Sequence, residues 1–144
     1  MRKAFGLITA ILFIVLVATI GALALSFSTK TNRQTSDIYL KTQAELLSYS
    51  ATEYALLAIS GHDIFGDNNC VNIITATEGG FGITITLQYI GNGLPIPGCA
   101  ILNGANTIAT DSSQATVLID TVVEYPASES NEPIRIHRRT LQKP

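Results

Sequence analysis

The sequence predicts an α+β protein: a long N-terminal α-helix, transmembrane in its first half and amphipathic in its second, packed on a small antiparallel β-sheet. Three observations predict it. No residue from Phe5 to Leu25 is charged. No glycine or proline occurs from Asp37 to Ser60, where Leu40, Ala44, Leu47, Ala51, Tyr54 and Ala58 recur at spacings of 4, 3, 4, 3 and 4, the period of one helical face. Beyond Gly61 apolar residues instead alternate with polar ones, most cleanly from Phe81 to Ile90, which is the pattern of a strand buried on one side.

The uncharged run sets the first element. Its 21 residues make roughly 32 Å of helix, enough for a bilayer core of about 30 Å. Arg2 and Lys3 stand directly before it with no acid beside them, so the positive-inside rule keeps the N-terminus in the cytoplasm and sends the rest across. Three fates fit such a segment. It is a secretory signal cut after Ala24, with Ala22-Leu23-Ala24 as the small-x-small site; or a plain signal anchor; or a segment cut on the cytoplasmic side of the run. Signal-peptide apolar cores of about 7–15 residues are shorter than this one, which weighs against the first.

The amphipathic stretch from Asp37 to Ser60 forms the second half of the helix. Lys41 and Glu45 stand at i and i+4, where they can pair, and Gly61 supplies a left-handed cap. No proline interrupts Phe5–Ser60 and Gly21 is the only glycine after Gly6, so the two halves read as one helix. The organisation is therefore a leader over 1–4, a transmembrane helix over 5–29, the amphipathic half over 30–60 and a β-rich head over 61–144.

The head carries no Lys or Arg between Lys41 and Arg135 but many acids. An acidic body without a basic stripe argues against a nucleic-acid partner. Cys70 and Cys99 lie on the translocated side, and an even pair in an oxidising compartment implies one disulfide, with two free thiols as the alternative. Neither His62 nor His137 is at ligand spacing for zinc. The loop 61–70 holds Asp63, Asp67, Asn68 and Asn69, but their spacing is not that of an EF-hand, so the loop reads as a turn cluster and no metal is expected.

Strands follow over 71–75, 81–90 and 115–125, with a last one from 133 to 139. In the second, Phe81, Ile83, Ile85, Leu87 and Tyr89 share one face. The loop GNGLPIPGCA brings Cys99 toward Cys70, and residues 102–113 form a polar loop. In the last pair, joined by the polar connector 126–133, Ile134 and Ile136 alternate with Arg135, His137 and Arg139, which can meet Asp120 and Glu124 across the ladder. The competing reading makes Arg135, Arg138 and Arg139 a contact for the acidic body of a neighbouring subunit. The ending RRTLQKP reads as too polar for a further core element.

A short basic leader, a small residue and then Phe opening a transmembrane helix that runs into an amphipathic one resembles the type IV pilin and type II secretion pseudopilin family. The similarity covers about residues 2–30. In this chain the small residue is Ala4, where the family most often has Gly, and the mature chain begins Phe5-Gly6-Leu7-Ile8. The resemblance implies cleavage between Ala4 and Phe5 by a prepilin peptidase, N-methylation of Phe5, and the same helix-on-sheet fold. The family's Glu at the fifth mature position is replaced by Thr9. A carboxylate there neutralises the amine of a neighbouring subunit, an otherwise costly charge. Thr9 instead can bond back to the Phe5 carbonyl. Family members without the Glu tend to be minor subunits, including those at the filament tip. The implied protein is a minor pseudopilin of a type II secretion or type IV pilus-like filament. It sits in a bacterial inner membrane with its head in the periplasm, and its partners are prepilin peptidase and other pilin or pseudopilin subunits.

No G-x-S-x-G, H-E-x-x-H or phosphate-binding loop occurs, so neither an enzyme nor a cofactor is expected. Two other classes are a periplasmic or secreted β-rich binding module released after Ala24, and a single-pass anchored domain with no filament role.

Overall fold

A computed structural model of the chain describes residues 2–108, 115–127 and 133–144. One helix, α1 (Arg2–Ser60), precedes four strands, β1 (Ile73–Glu78), β2 (Phe81–Gly91), β3 (Ala115–Tyr125) and β4 (Ile134–Gln142), with a short 3-10 turn at Leu102–Gly104. The strands form one antiparallel sheet in the order β1-β2-β3-β4, and the helix packs on it, as the α+β pattern requires. The chain divides into two units at Ile38/Tyr39.

Over residues 8–25 of the first unit the helix is apolar all round and exposed all round. Leu12, Phe13, Ile14, Val17 and Leu25 each leave about half or more of their surface open. One helix here is long and apolar enough to cross a membrane. Its hydroxyls are satisfied within the helix: Thr19 donates to the Leu16 carbonyl at 2.8 Å and Thr29 to that of Ser26 at 3.0 Å. A polar group in hydrocarbon has no water to turn to, so this back-bonding lets a threonine sit in the span. The helix continues without a break through Ser26-Phe27-Ser28-Thr29.

In the second unit, β1 and β2 form a tight hairpin. Glu78 pairs with Phe81, leaving Gly79 and Gly80 as a two-residue turn with φ of 57° and 85°. Both central residues need positive φ, and glycine adopts it without a Cβ clash. The inward face of β2 is Phe81, Ile83, Ile85, Leu87 and Tyr89, as expected, all 7% exposed or less. On β3, Val117, Ile119 and Val123 are fully buried beside them. Thr121 is the polar exception, fully buried with no partner for its hydroxyl among the described residues.

The helix lies on this face through a stripe rotated slightly from the one its sequence suggests, sharing Ala44 and Ala51 with it. Ala44, Ser48, Ala51, Thr52, Ala55 and Ile59 are buried, Leu40 and Leu47 only partly, and Tyr54 is 57% exposed. Small side chains let the helix backbone approach the sheet closely, so the contact selects them over the bulkier set one step around the helix. The Ser48 and Thr52 hydroxyls donate to the carbonyls of Glu45 and Ser48 at 2.7 and 2.9 Å, so neither is left unmet in the interface. Lys41 and Glu45 form no ion pair among the described residues. Gly61 ends the helix without adopting positive φ. Its N–H donates to the Leu57 carbonyl at 3.0 Å and that of His62 to Ile59 at 3.2 Å, closing the last turn without a left-handed residue.

Two strands also differ from expectation. β1 begins at Ile73 rather than Val71, because Asn72 is used to stitch loops together (below). β4 runs on to Gln142, pairing Leu141 with Leu118 and Gln142 with Val117, so the polar ending is strand. An edge strand needs apolar residues on only one face, and β4 meets that with Ile134 and Ile136 alone. Parts of the predicted loop 102–113 and connector 126–133 lie outside the described residues.

Candidate functional site

Three places carry the chemistry that the sequence singles out: the helix N-terminus, the two cysteine loops and the last strand. At the N-terminus, Ala4 and Phe5 lie within the backbone of α1, and their side chains fall outside the described residues. The Thr9 hydroxyl donates to the Gly6 carbonyl, three residues back, at 3.0 Å. The consequence is the one expected: position 9 carries a neutral group bonded within its own helix.

Cys70 and Cys99 form a disulfide with their Cα atoms 4.7 Å apart. Its surroundings are a hydrogen-bonded seam between two loops. Cys70 N–H donates to Gly98 O at 3.1 Å. The Asn72 side chain works in both directions, donating to Gly98 O at 3.1 Å and accepting from Ala100 N–H at 2.9 Å. Gly98 is required there, since a Cβ would sit 2.5 Å from the Asn68 carbonyl. The Tyr89 hydroxyl donates to Val71 O at 2.6 Å, and burial pushes its pKa up to about 12, so it stays a neutral donor. In the same loops Asp63 accepts from Gly66 N–H at 2.9 Å and His62 reaches Asn69 Oδ1 at 2.7 Å; these are turn contacts, in keeping with the turn cluster expected there.

The last strand divides its basic residues between two faces. Arg135, His137 and Arg139 point outward. Arg135 pairs with Glu124 at 3.1 Å. Arg139 donates to Asp120 through Nε at 3.1 Å and Nη2 at 2.5 Å, and His137 shares the same carboxylate. The register places Asp120 opposite Arg139 and Glu124 opposite Arg135, which is the cross-strand reading. Arg138 points inward instead, with its guanidinium 3.7 Å from the centre of the Tyr49 ring, a cation–π contact that ties the helix to β4. The three arginines therefore do not form one surface.

Burial alone would raise the Asp120 pKa, but hydrogen bonds from Arg139 and His137, together with their charge, outweigh it and hold the carboxyl below its usual range. A carboxylate depressed in the folded state contributes stability that is present above its unfolded pKa of about 3.9 and is lost as pH falls through the folded value. Melting temperature is expected to drop below about pH 4. Asp120→Asn should flatten that acid limb in thermal melts between about pH 2 and 6, and an unchanged acid limb would remove Asp120 from the account.

Sequence reasoning missed one feature. The helix covers β2, β3 and the inner side of β4 but leaves β1 open, where Ala76 and Glu78 are exposed. Two adjoining hollows of about 370 and 330 Å³ lie along this side, sharing Leu47, Ser50 and Glu78 as walls. Glu78 forms no ion pair among the described residues. No sequence signal marks such a trough, because it depends on β1 being an edge strand.

Compared with known proteins, the chain is matched by no family model, no curated protein and no solved structure.

Proposed function

We propose that this chain is a pilin-like structural subunit, a minor pseudopilin of a type II secretion or type IV pilus-like filament, and not an enzyme. Prepilin peptidase cuts it between Ala4 and Phe5 and methylates the new amine. The observation that carries this reading is the unbroken helix, apolar and exposed all round over residues 8–25 and packed on a four-stranded sheet through small residues in its second unit. A span of this kind anchors a subunit in the inner membrane, with the N-terminus cytoplasmic and the disulfide-bearing head in the periplasm. Other pilin or pseudopilin subunits are its partners.

Thr9 supports the minor role. A hydroxyl bonded to its own helix offers no counter-charge to the amine of a neighbour, so the subunit is poorly suited to repeating positions within a filament.

The test is the mass of the mature N-terminus in membrane and soluble fractions. A chain beginning at N-methyl Phe5 is the expected product. One beginning at Leu25 would make the protein a released periplasmic binding module. An intact Met1 would leave an anchored domain without a filament role.

A further inference from the structure

The two edges of the sheet are guarded unequally. An unpaired edge is a template for another strand unless charge, proline or a bulge blocks it. At one edge β4 carries Arg135, His137, Arg138 and Arg139. At the other β1 reads IITATE, with no lysine and no proline, and its one charge is its last residue. Its pairing with β2 runs from Ile73–Thr86 to Glu78–Phe81 without a bulge.

The phase of the hairpin says which backbone groups face the open side. Glu78 and Phe81 close a two-residue turn, and Leu87 N–H donates to Asn72 O at 2.8 Å. In an antiparallel ladder the residues bonded to the partner strand alternate. The even positions of β1 therefore bond to β2, and the N–H and C=O groups of Ile73, Thr75 and Thr77 point away from the sheet. All three residues are exposed. A chain lying about 4.8 Å beyond β1 satisfies those groups only if it is extended. A helix keeps its own backbone groups bonded and would leave them unmet.

The trough then sets the side chains. Alternate residues of an added strand pass over it beside Leu47 and Tyr54, which calls for apolar ones. Glu78 lines both hollows and forms no ion pair among the described residues, so the residue opposite it is a cation. A second β1 cannot supply that cation in any register, because the chain has no Lys or Arg between Lys41 and Arg135.

We propose that β1 accepts an extended strand from a different protein, antiparallel to Ile73–Glu78 as every pairing in this sheet is. That strand brings a cation opposite Glu78 and apolar residues opposite Ala76 and Ile74, with main-chain bonds giving affinity and the trough giving selectivity. The proposal does not rest on the filament reading: it uses the head alone and holds wherever the mature chain begins.

The experiment titrates the full-length chain in detergent with the capped synthetic peptide Lys-Thr-Val-Thr-Val-Thr and follows amide hydrogen exchange residue by residue. The amides of Ile73, Thr75 and Thr77 are expected to exchange fast in the free protein and about tenfold or more slowly with peptide bound, with β4 unchanged. Thr75→Pro removes an outward N–H and no bond to β2, so it should abolish the protection and leave the β2 and β3 amides as they were. Glu78→Lys should weaken binding about twofold to fivefold, the range for one exposed ion pair, and a peptide beginning with Glu should recover it. This charge exchange tests the same contact without touching the backbone. No protection at any soluble peptide concentration, protection confined to other residues, or protection that survives Thr75→Pro would each overturn the proposal. So would slow exchange at the three amides without peptide, which would mean that the edge is already covered, or no recovery on charge exchange.

Discussion

Replacing Cys70 and Cys99 by serine is expected to lower the stability of the head by about 3–4 kcal/mol. The bond closes a loop with a sequence separation of 29, and the chain-entropy relation for a loop of that length gives this figure. The enclosed segment contains β1 and β2 and ends in the loop that carries Gly98, so without the bond the unfolded chain gains the freedom of the whole hairpin. The folded state loses less. The register of β2 on β3 runs from Gly82–Glu124 to Gly91–Ala115 and does not pass through the cysteines. Loosening should concentrate in the seam, where Tyr89 N–H donates to Ala100 O at 2.8 Å and Ala100 N–H to the Asn72 side chain at 2.9 Å. Urea unfolding of the full chain in detergent would measure the loss, and hydrogen exchange would locate it. A midpoint unmoved by the double substitution would mean that the seam holds without the bond. Uniform loss of protection through β3 and β4 would mean that the disulfide organises the entire sheet.

The elements that were legible in the sequence are those whose environment is the same along their whole length. The apolar run was legible because residues 8–25 are exposed on every face, so the run needs no phase. β2 was legible because it is a central strand covered on one face, and Phe81 to Tyr89 alternate without a lapse. Elements at the margins of the sheet were harder to read. β4 continues through Arg138-Arg139-Thr140-Leu141-Gln142, its first polar inward residue, Arg138, stacking on Tyr49 where an apolar side chain would be sought. The arginines look like one cluster in the sequence because spacing along the chain does not say which face a side chain takes. A strand period of two separates Arg138 from Arg135 and Arg139. The trough was not legible because it is what the helix fails to cover.

The phase of the amphipathic helix is shifted from the one the sequence suggests, and the shift leads to the sharpest contrast among core substitutions. Leu87→Ala is expected to cost about 2–5 kcal/mol, and Tyr54→Ala less than about 1 kcal/mol. Both residues belong to apolar stripes that the sequence marks equally well. Leu87 is fully buried at the middle of β2, opposite Ile119 and beneath the helix. Truncation there removes apolar surface from the centre of a close-packed layer and leaves a cavity that its neighbours only partly fill. Tyr54 is 57% exposed, because the helix turns Ala51 and Ala55 toward the sheet. Its ring lies on the trough side, where shortening it opens a surface that is already open. Urea unfolding of the two variants under one set of conditions measures the difference directly. If Tyr54→Ala proved as costly as Leu87→Ala, the helix would be rotated toward the stripe of Leu40, Leu47 and Tyr54. Ser48, Thr52 and Ala55 would then turn away from the sheet and the trough beside β1 would close.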